Sequence, residues 1–485
     1  MNRVLPIVHV LGLVVLIFAF ALLLPVAAGL YFHDAAATAY DDAFVVIFLS
    51  GLFMWLGTRH KKRELQIKDG FLLVALVWAV LPAFAALPFL IHFPDLSFTD
   101  AYFEAVSGMT TTGATVFTGL DTMPPSINLW RHLLNWMGGM GIIVLAVAIL
   151  PMLGIGGRQI FKAETPGPMK DSQLTPRIAQ TAKGLWAIYA AITLACVLSL
   201  RVAGMSWFDA LCHAFSALSL GGFSTHDASI GYFNSVPIEV VLTVFQIIAA
   251  GNFTTHFLVW RTRNAAAYRS DAEMKALLVW LAAGILVVTL FLWLKGVYPD
   301  FLSALRYASF NVVTIATDCG YASTDFAQWP IFAPLLMLLM SAMLVCSGST
   351  GGGIKMIRTM ILFKQAGREM KRLMHPQAHI PLKVGQQVIE NKVVLSVLAF
   401  VALYLGTVVV LSFALMGSGL DFVSAFSAII ACINNAGPGL GVVGPANNYA
   451  ALTDFQTWTC TLAMVLGRLE LFTFFVLFTR TFWRS

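Results

Sequence analysis

Four glycines, Gly113, Gly222, Gly320 and Gly437, each close a short stretch whose residue types repeat in register. The first stretch reads Phe103-Glu104-Ala105-Val106-Ser107-Gly108-Met109-Thr110-Thr111-Thr112-Gly113, and the second Cys212-His213-Ala214-Phe215-Ser216-Ala217-Leu218-Ser219-Leu220-Gly221-Gly222. The third runs from Phe310 through Thr314, Thr317, Asp318 and Cys319 to Gly320, and the fourth from Ser427 through Ala431, Asn434, Asn435 and Ala436 to Gly437. Six places before the glycine stand Ser107, Ser216, Thr314 and Ala431, all small; three places before it stand Thr110, Ser219, Thr317 and Asn434, all small and polar. Glycine permits backbone angles that other residues resist, so such a loop can aim successive carbonyls at one axis. Rings of backbone carbonyls replace the hydration shell of a potassium ion. The carbonyls best placed belong to the two residues before each glycine: Thr111 and Thr112, Leu220 and Gly221, Asp318 and Cys319, Asn435 and Ala436. Their side chains differ from copy to copy, which suits coordination by backbone.

The elements that must position these loops follow from composition. The chain has 485 residues, 59% hydrophobic and 11% charged; soluble domains run at roughly a quarter charged, so lipid is the solvent. A membrane helix needs roughly 20 apolar residues. Two such spans, Ile7–Leu30 and Asp42–Gly57, come first, and the first is too long for a cleavable leader. Four outward spans follow near 70–91, 184–203, 275–294 and 392–416, with return spans near 130–153, 237–260, 330–363 and 455–480. The segment before each glycine holds only about 12 residues, too few to cross a bilayer. It must dip in and come back, and non-helical backbone at membrane depth survives only in protein or against water. The predicted fold is therefore an all-α polytopic membrane protein with ten spans: four tandem helix–re-entrant pore loop–helix repeats around a central pore, preceded by two extra transmembrane helices. The units divide as 1–66, 67–158, 159–262, 263–374 and 375–485.

Of 30 Lys and Arg, 25 lie at the termini or in 59–68, 156–183, 261–275 and 355–392, while 33–41, 92–128, 203–236 and 417–452 contain none. This positive-inside pattern places both termini and the basic loops in the cytoplasm. Basic residues dealt to alternate loops do not make a nucleic-acid patch. The six cysteines are scattered through apolar segments without metal-ligand spacing.

Thr110-Thr111-Thr112-Gly113-Ala114-Thr115, Leu220-Gly221-Gly222-Phe223-Ser224, Gly437-Pro438-Gly439-Leu440 and Asn135-Trp136-Met137-Gly138-Gly139-Met140-Gly141 resemble segments of the superfamily of bacterial potassium transporters that includes TrkH and KtrB. The resemblance covers nearly the whole chain, and the two leading spans favour the TrkH branch. It implies potassium uptake across the inner membrane and a homodimer. It also implies a cytoplasmic, nucleotide-binding ring of the TrkA type as partner. No Gly-rich dinucleotide fold occurs in this chain, so the regulatory nucleotide would sit on that partner and this chain would carry no cofactor. The basic loops 156–183 and 355–392 are candidate contacts.

Ser347-Gly348-Ser349-Thr350-Gly351-Gly352-Gly353-Ile354-Lys355 interrupts the third return span near mid-membrane. Each helical glycine costs up to about 1 kcal/mol against alanine, so four in six residues predict a loop. In the resembled superfamily such a loop closes the pore beneath the filter, and the attached helix running toward Met360 and Lys364 is the lever. A phosphate-binding loop is excluded because Ile354 stands where lysine is required. Arg468 lies deep in the last span, and an intramembrane charge marks function. The resemblance implies that it projects into the pore and repels cations; an internal ion pair is the alternative, with Glu470 a poor partner at i,i+2. Glu104, His213, Asn311 and Ala428 share one pore-helix column and are expected to satisfy hydrogen bonds behind the filter. Asp318 adds a carboxylate beside the ion path. His375 and His379 read as solvated. A symporter coupled to sodium or protons is the rival mechanism, and a membrane enzyme lacks its cluster of acids or histidines.

Overall fold

A computed structural model describes residues 4–60, 65–141, 178–385 and 387–483. Among the described residues the regular structure is helical apart from one two-stranded antiparallel hairpin, Leu382–Val384 with Gln387–Ile389. Among the described residues six helices are long and apolar enough to cross a membrane: Val4–Phe32, Ala37–Thr58, Lys68–His92, Ala182–Val202, Ala272–Leu294 and Asn391–Gly417. Two bent pairs, Val236–Ala250 with Phe253–Thr262 and Asp454–Arg468 with Phe472–Phe478, bring the count to eight. These match both leading spans and all four outward spans within a few residues.

The return spans depart from expectation. Only the third was expected to break, yet the second bends by 93° at Gly251-Asn252 and the fourth by 102° after Arg468. The third stops at Leu344 and resumes as Met356–Met374, with non-helical backbone between. The first half is too short to span and the second, though 19 residues long, is too polar, so the described residues do not build ten uninterrupted spans. Of the first return span, Pro125–Gly139 is helical. Its continuation to 153, the boundary at 158 and the basic loop from 156 to 177 lie outside the described residues.

Four short helices end at the four glycine loops: Phe98–Met109, Trp207–Ser219, Phe301–Ala316 and Phe422–Asn434. Each begins with a side-chain cap: Ser97, Ser206, Asp300 and Asp421 accept from the N–H of Asp100, Asp209, Ser303 and Ser424. Each cap contributes about 1 kcal/mol. Asp300 caps four residues earlier than the others relative to its glycine. The third helix is thus longer, and Tyr307-Ala308 lies inside it where the first two copies place an Asp-Ala pair. Ala308 keeps the alanine of that column, fully buried like Ala101, Ala210 and Ala425.

The apolar core has two main parts. One joins the leading helices to the first unit through Phe18, Tyr40, Trp78 and Trp130; the other surrounds the remaining pore helices. The leading helices touch backbone to backbone at Gly12 and Gly51, where a Cβ would lie 2.8 Å from Trp55 N and 2.9 Å from Leu16 N. Small residues allow such approach where lipid provides no hydrophobic drive. All six cysteines are buried and free.

Candidate functional site

Each short helix ends in the same turn. Thr112, Gly221, Cys319 and Ala436 donate their backbone N–H to the carbonyls of Ser107, Ser216, Thr314 and Ala431, each at 2.8 Å. The preceding residue donates to Gly108, Ala217, Ile315 and Cys432 at 3.0, 3.3, 3.1 and 3.1 Å. This pairing is a Schellman cap, whose turning residue must be left-handed. Thr111, Leu220, Asp318 and Asn435 accordingly have φ of 58°, 56°, 66° and 60°. A left-handed non-glycine costs roughly 1–2 kcal/mol, here four times over. The small residues six places before the glycine are thus the carbonyls that accept the cap.

The glycines then close a ring. Gly113, Gly222, Gly320 and Gly437 have φ of 79°, 66°, 84° and 78°. A Cβ on Gly113 would fall under 3.0 Å from Gly221 O, on Gly222 from Cys319 O, on Gly320 from Ala436 O, and on Gly437 from Thr112 O. Each loop therefore presses its glycine on the carbonyl before its neighbour's glycine, and the fourth returns to the first. The carbonyls of Thr111, Thr112, Leu220, Gly221, Asp318, Cys319, Asn435 and Ala436 accept no hydrogen bond from any described residue, although all eight residues are buried. Buried carbonyls are ordinarily paired. Rings of unpaired carbonyls are the kind of donor set that replaces the hydration shell of a cation.

Above the glycines each loop is tied to its own helix through the expected column. Glu104 accepts from Val116 N (3.0 Å) and Thr115 Oγ1 (2.9 Å). His213 Nε2 meets Ser224 Oγ at 3.0 Å, and Asn311 Nδ2 donates to Ser323 Oγ at 2.9 Å. In the fourth copy Ala428 has no polar group, and the neighbouring Ser427 Oγ accepts from Leu440 N at 2.8 Å instead. Sequence reasoning missed Arg131. It is fully buried, bonds Glu104 at 2.7 Å and lies 4.3 Å from the Phe223 ring centre. Its signal was present: it is one of five Lys or Arg outside the basic segments. Above the ring opens a space lined by all four ring glycines, Arg131 and His226.

His226 sits between Asp121 (2.5 Å) and Asp209 (3.5 Å) at the outer mouth, joining the first two loops. Burial pulls its pKa down, but hydrogen bonds and charge from Asp209 and Asp121 outweigh this and raise it. Asp121 is held below the usual carboxylate range because His226 and the Asp227 N–H outweigh its slight desolvation.

Beneath the ring lies the glycine-rich loop. Thr350 Oγ1 donates to Leu218 O at 3.1 Å, and Gly352 N–H donates to Asp318 Oδ2 at 3.1 Å. A Cβ on Gly352 would collide with Asn434 O. The loop also joins the broken second return: Cys346 N donates to Ala250 O, Phe253 N to Gly348 O, each at 3.1 Å. Ser347 N donates to Glu273 at 2.7 Å. Among the described residues Ser349 bonds Cys346 O alone, within its own turn, its Oγ at 2.6 Å. Gly348 and Gly353 have φ of 76° and 71°, and Lys355 is left-handed and buried.

Arg468 bridges loop and filter. It donates to Thr350 O (2.9 Å), Thr111 Oγ1 (3.4 Å), Gly139 O (3.2 Å) and Gly138 O. Glu470 pairs instead with Arg358, at 2.5 Å, on the helix that follows the glycine-rich loop. Thr350, Gly352 and Arg468 thus reach the glycine loops, whereas Ser347 and Gly348 face Glu273 and the broken second return span.

Four glycine loops closed into one ring, within a helical multi-pass membrane protein, define the class: a membrane protein that transports ions. The family model for the cation transport protein TrkH matches residues 38–484. The chain belongs to that family, which makes it a transporter and not an enzyme. It is 44% identical over 480 residues to the Trk system potassium uptake protein TrkH of Salmonella typhimurium (strain LT2), covering 99% of both chains. It is 39% identical to the Trk system potassium uptake protein TrkG of Escherichia coli (strain K12), covering 98% of both. The crystal structure of the potassium transporter TrkH from Vibrio parahaemolyticus superposes with a TM-score of 0.90 at 43% identity, covering 99% of this chain and all of that one.

Proposed function

We propose that this chain takes potassium up across the bacterial cytoplasmic membrane through a channel-like central pore. The observation that carries this reading is the ring of eight buried, unpaired carbonyls. Four tandem repeats, 67–158, 159–262, 263–374 and 375–485, supply one loop each, and the leading helices within 1–66 brace the first. The ion sheds water at the carbonyls beside Gly113, Gly222, Gly320 and Gly437. The four helix C-termini direct their negative ends at it. The loop Ser347–Gly353 with Lys355 and Arg468 blocks the path below. Residues 347–353 gate by withdrawing, and Arg468 repels cations at that level while holding the loop by Thr350 O.

Control comes in trans: the chain forms a homodimer that docks on a cytoplasmic TrkA-type subunit carrying the regulatory nucleotide. The helix Met356–Met374 supports this, since it runs from the gate and ends in Lys371 and Arg372. Both termini lie in the cytoplasm, and no nucleic acid is involved. Single-channel recording in bilayers tests the mechanism. Channel-rate conductance is expected; a fixed sodium- or proton-coupling ratio would establish the symport mechanism instead. Deleting Gly351-Gly352-Gly353 is expected to raise basal flux, and a well-folded protein with unchanged flux would count against the gate.

A further inference from the structure

The four left-handed residues share a backbone role, but their side chains diverge beneath the ring. Thr111 Oγ1 accepts from Arg468, and Asn435 Nδ2 donates to Thr112 Oγ1 (3.0 Å) and Met464 O (3.1 Å). Leu220 offers no polar atom. Asp318 reaches the glycine-rich loop itself, through Gly352 N–H. Among the described residues it alone of the four makes that direct bond.

We infer that Asp318 is the positioning residue that holds the glycine-rich loop closed against the filter, and that its carboxylate joins the cation path when the loop withdraws. The inference rests on reading that loop as the gate. Three observations carry it. Asp318 is fully buried, and its Oδ1 has no hydrogen-bond partner among the described residues, so Gly352 N–H is the group that satisfies this carboxylate. A buried carboxylate stripped of its donor must find water or a cation, since leaving it unsatisfied is costly. The space is matched to glycine on both sides: a Cβ on Gly351 would lie 3.3 Å from Asp318 Oδ2, and one on Gly352 2.9 Å from Asn435 Oδ1. The third and fourth filter loops thus both gauge the position of the loop. Finally, the Schellman cap that sets the Asp318 backbone also sets the carbonyls of Asp318 and Cys319. A distortion of the third filter loop therefore moves the carboxylate and loosens the gate. Filter geometry and gate position become one coupled variable.

Rubidium tracer flux into proteoliposomes holding the purified full-length chain tests this. Asp318→Ala should raise basal flux roughly tenfold, the worth of a hydrogen bond to a charged group in the closed-to-open ratio. Asp318→Asn keeps an acceptor for Gly352 N–H, so it should restore most of the closure that Asp318→Ala loses. Having lost the charge, it should also carry less flux at saturating potassium. Gly352→Ala, which cannot seat against Asn434 O, should leak whatever stands at 318. A leak in Gly352→Ala with none in a thermally stable Asp318→Ala overturns the latch while sparing the gate. No leak in either, nor on deleting Gly351-Gly352-Gly353, overturns the gate reading itself. Asp318→Asn leaking as much as Asp318→Ala also overturns the latch, and full saturating flux in Asp318→Asn overturns the role of the charge. If Asp318→Ala fails to fold, Asp318→Ser, too short to reach Gly352, makes the same measurement.

Discussion

The two faces of the four loops are built on opposite plans. Above the glycines each loop is tied to its own helix, by Glu104, His213, Asn311 or Ser427, and the four ties are equivalent in kind. Below them the side chains of Thr111, Leu220, Asp318 and Asn435 meet four different environments, all around one glycine-rich loop present once. The outer face repeats one local tie in each unit, to which bonds between units such as His226 to Asp121 are added at the mouth. The inner face is long-range and unrepeated, joining Arg468 to Thr350 and Gly352 to Asp318 across units. On the proposed reading, selectivity needs a rigid ring and gating needs contacts that break singly, and the two plans keep these demands apart.

Breaking the outer plan should have the largest consequence. Arg131→Met strands Glu104 in a fully buried place, and removing one partner of such a pair costs about 3–5 kcal/mol. The expected outcome is a large fall in thermal unfolding temperature and in folded yield. A near-unchanged midpoint would show that Glu104 and its loop do not depend on the pair. Next comes the ring itself: Gly113→Ser places a Cβ against Gly221 O at a positive φ, a strain of order 1–3 kcal/mol. Potassium-over-sodium selectivity should fall roughly tenfold with little change in yield, measured by competitive flux. Unaltered selectivity would sink the filter assignment.

The inner plan should break more gently. Glu470→Gln weakens the Arg358 link between the gate helix and the broken last span, and is expected to raise basal flux without altering selectivity. A change in selectivity would show the two faces are not separable there. The smallest effect belongs to the outer mouth. The folded pKa of His226 is raised, so its pairing with Asp121 and Asp209 stabilises fully below the unfolded value of about 6.5. That stabilisation is lost as pH rises through the folded value. Solvent screening limits it to about 0.5 kcal/mol. Thermal unfolding should therefore be slightly less favourable at about pH 6 than at about pH 8, and His226→Gln should erase the difference.

Much of this was legible in residue order. Glycine at four matched positions, small residues six places earlier and an apolar pattern with basic loops on one side are all local or periodic, so they survive without coordinates. The break at 347–353 was legible for the same reason, since four glycines cannot sustain a helix. The breaks after Ala250 and Arg468 were not: Gly251-Asn252 and Leu469-Glu470-Leu471 carry no comparable run, and the residues beside them, Ala250, Phe253 and Arg468, bond the glycine-rich loop from far away in the chain. Nor did the sequence forewarn that Leu220 would turn left-handed, because the Schellman bonds, not its own preference, impose that angle.

By itself the sequence determined the solvent and the register of the four glycine loops, because hydropathy and glycine act over short separations. Only the tertiary structure decided which loop abuts which, that Arg468 reaches Thr350 rather than Glu470, and that Asp318 grips Gly352. Those pairings join residues far apart in the chain, 34 positions for Asp318 and Gly352 and 118 for Arg468 and Thr350. At such separations spacing carries no information, and only packing around the shared axis selects the partner.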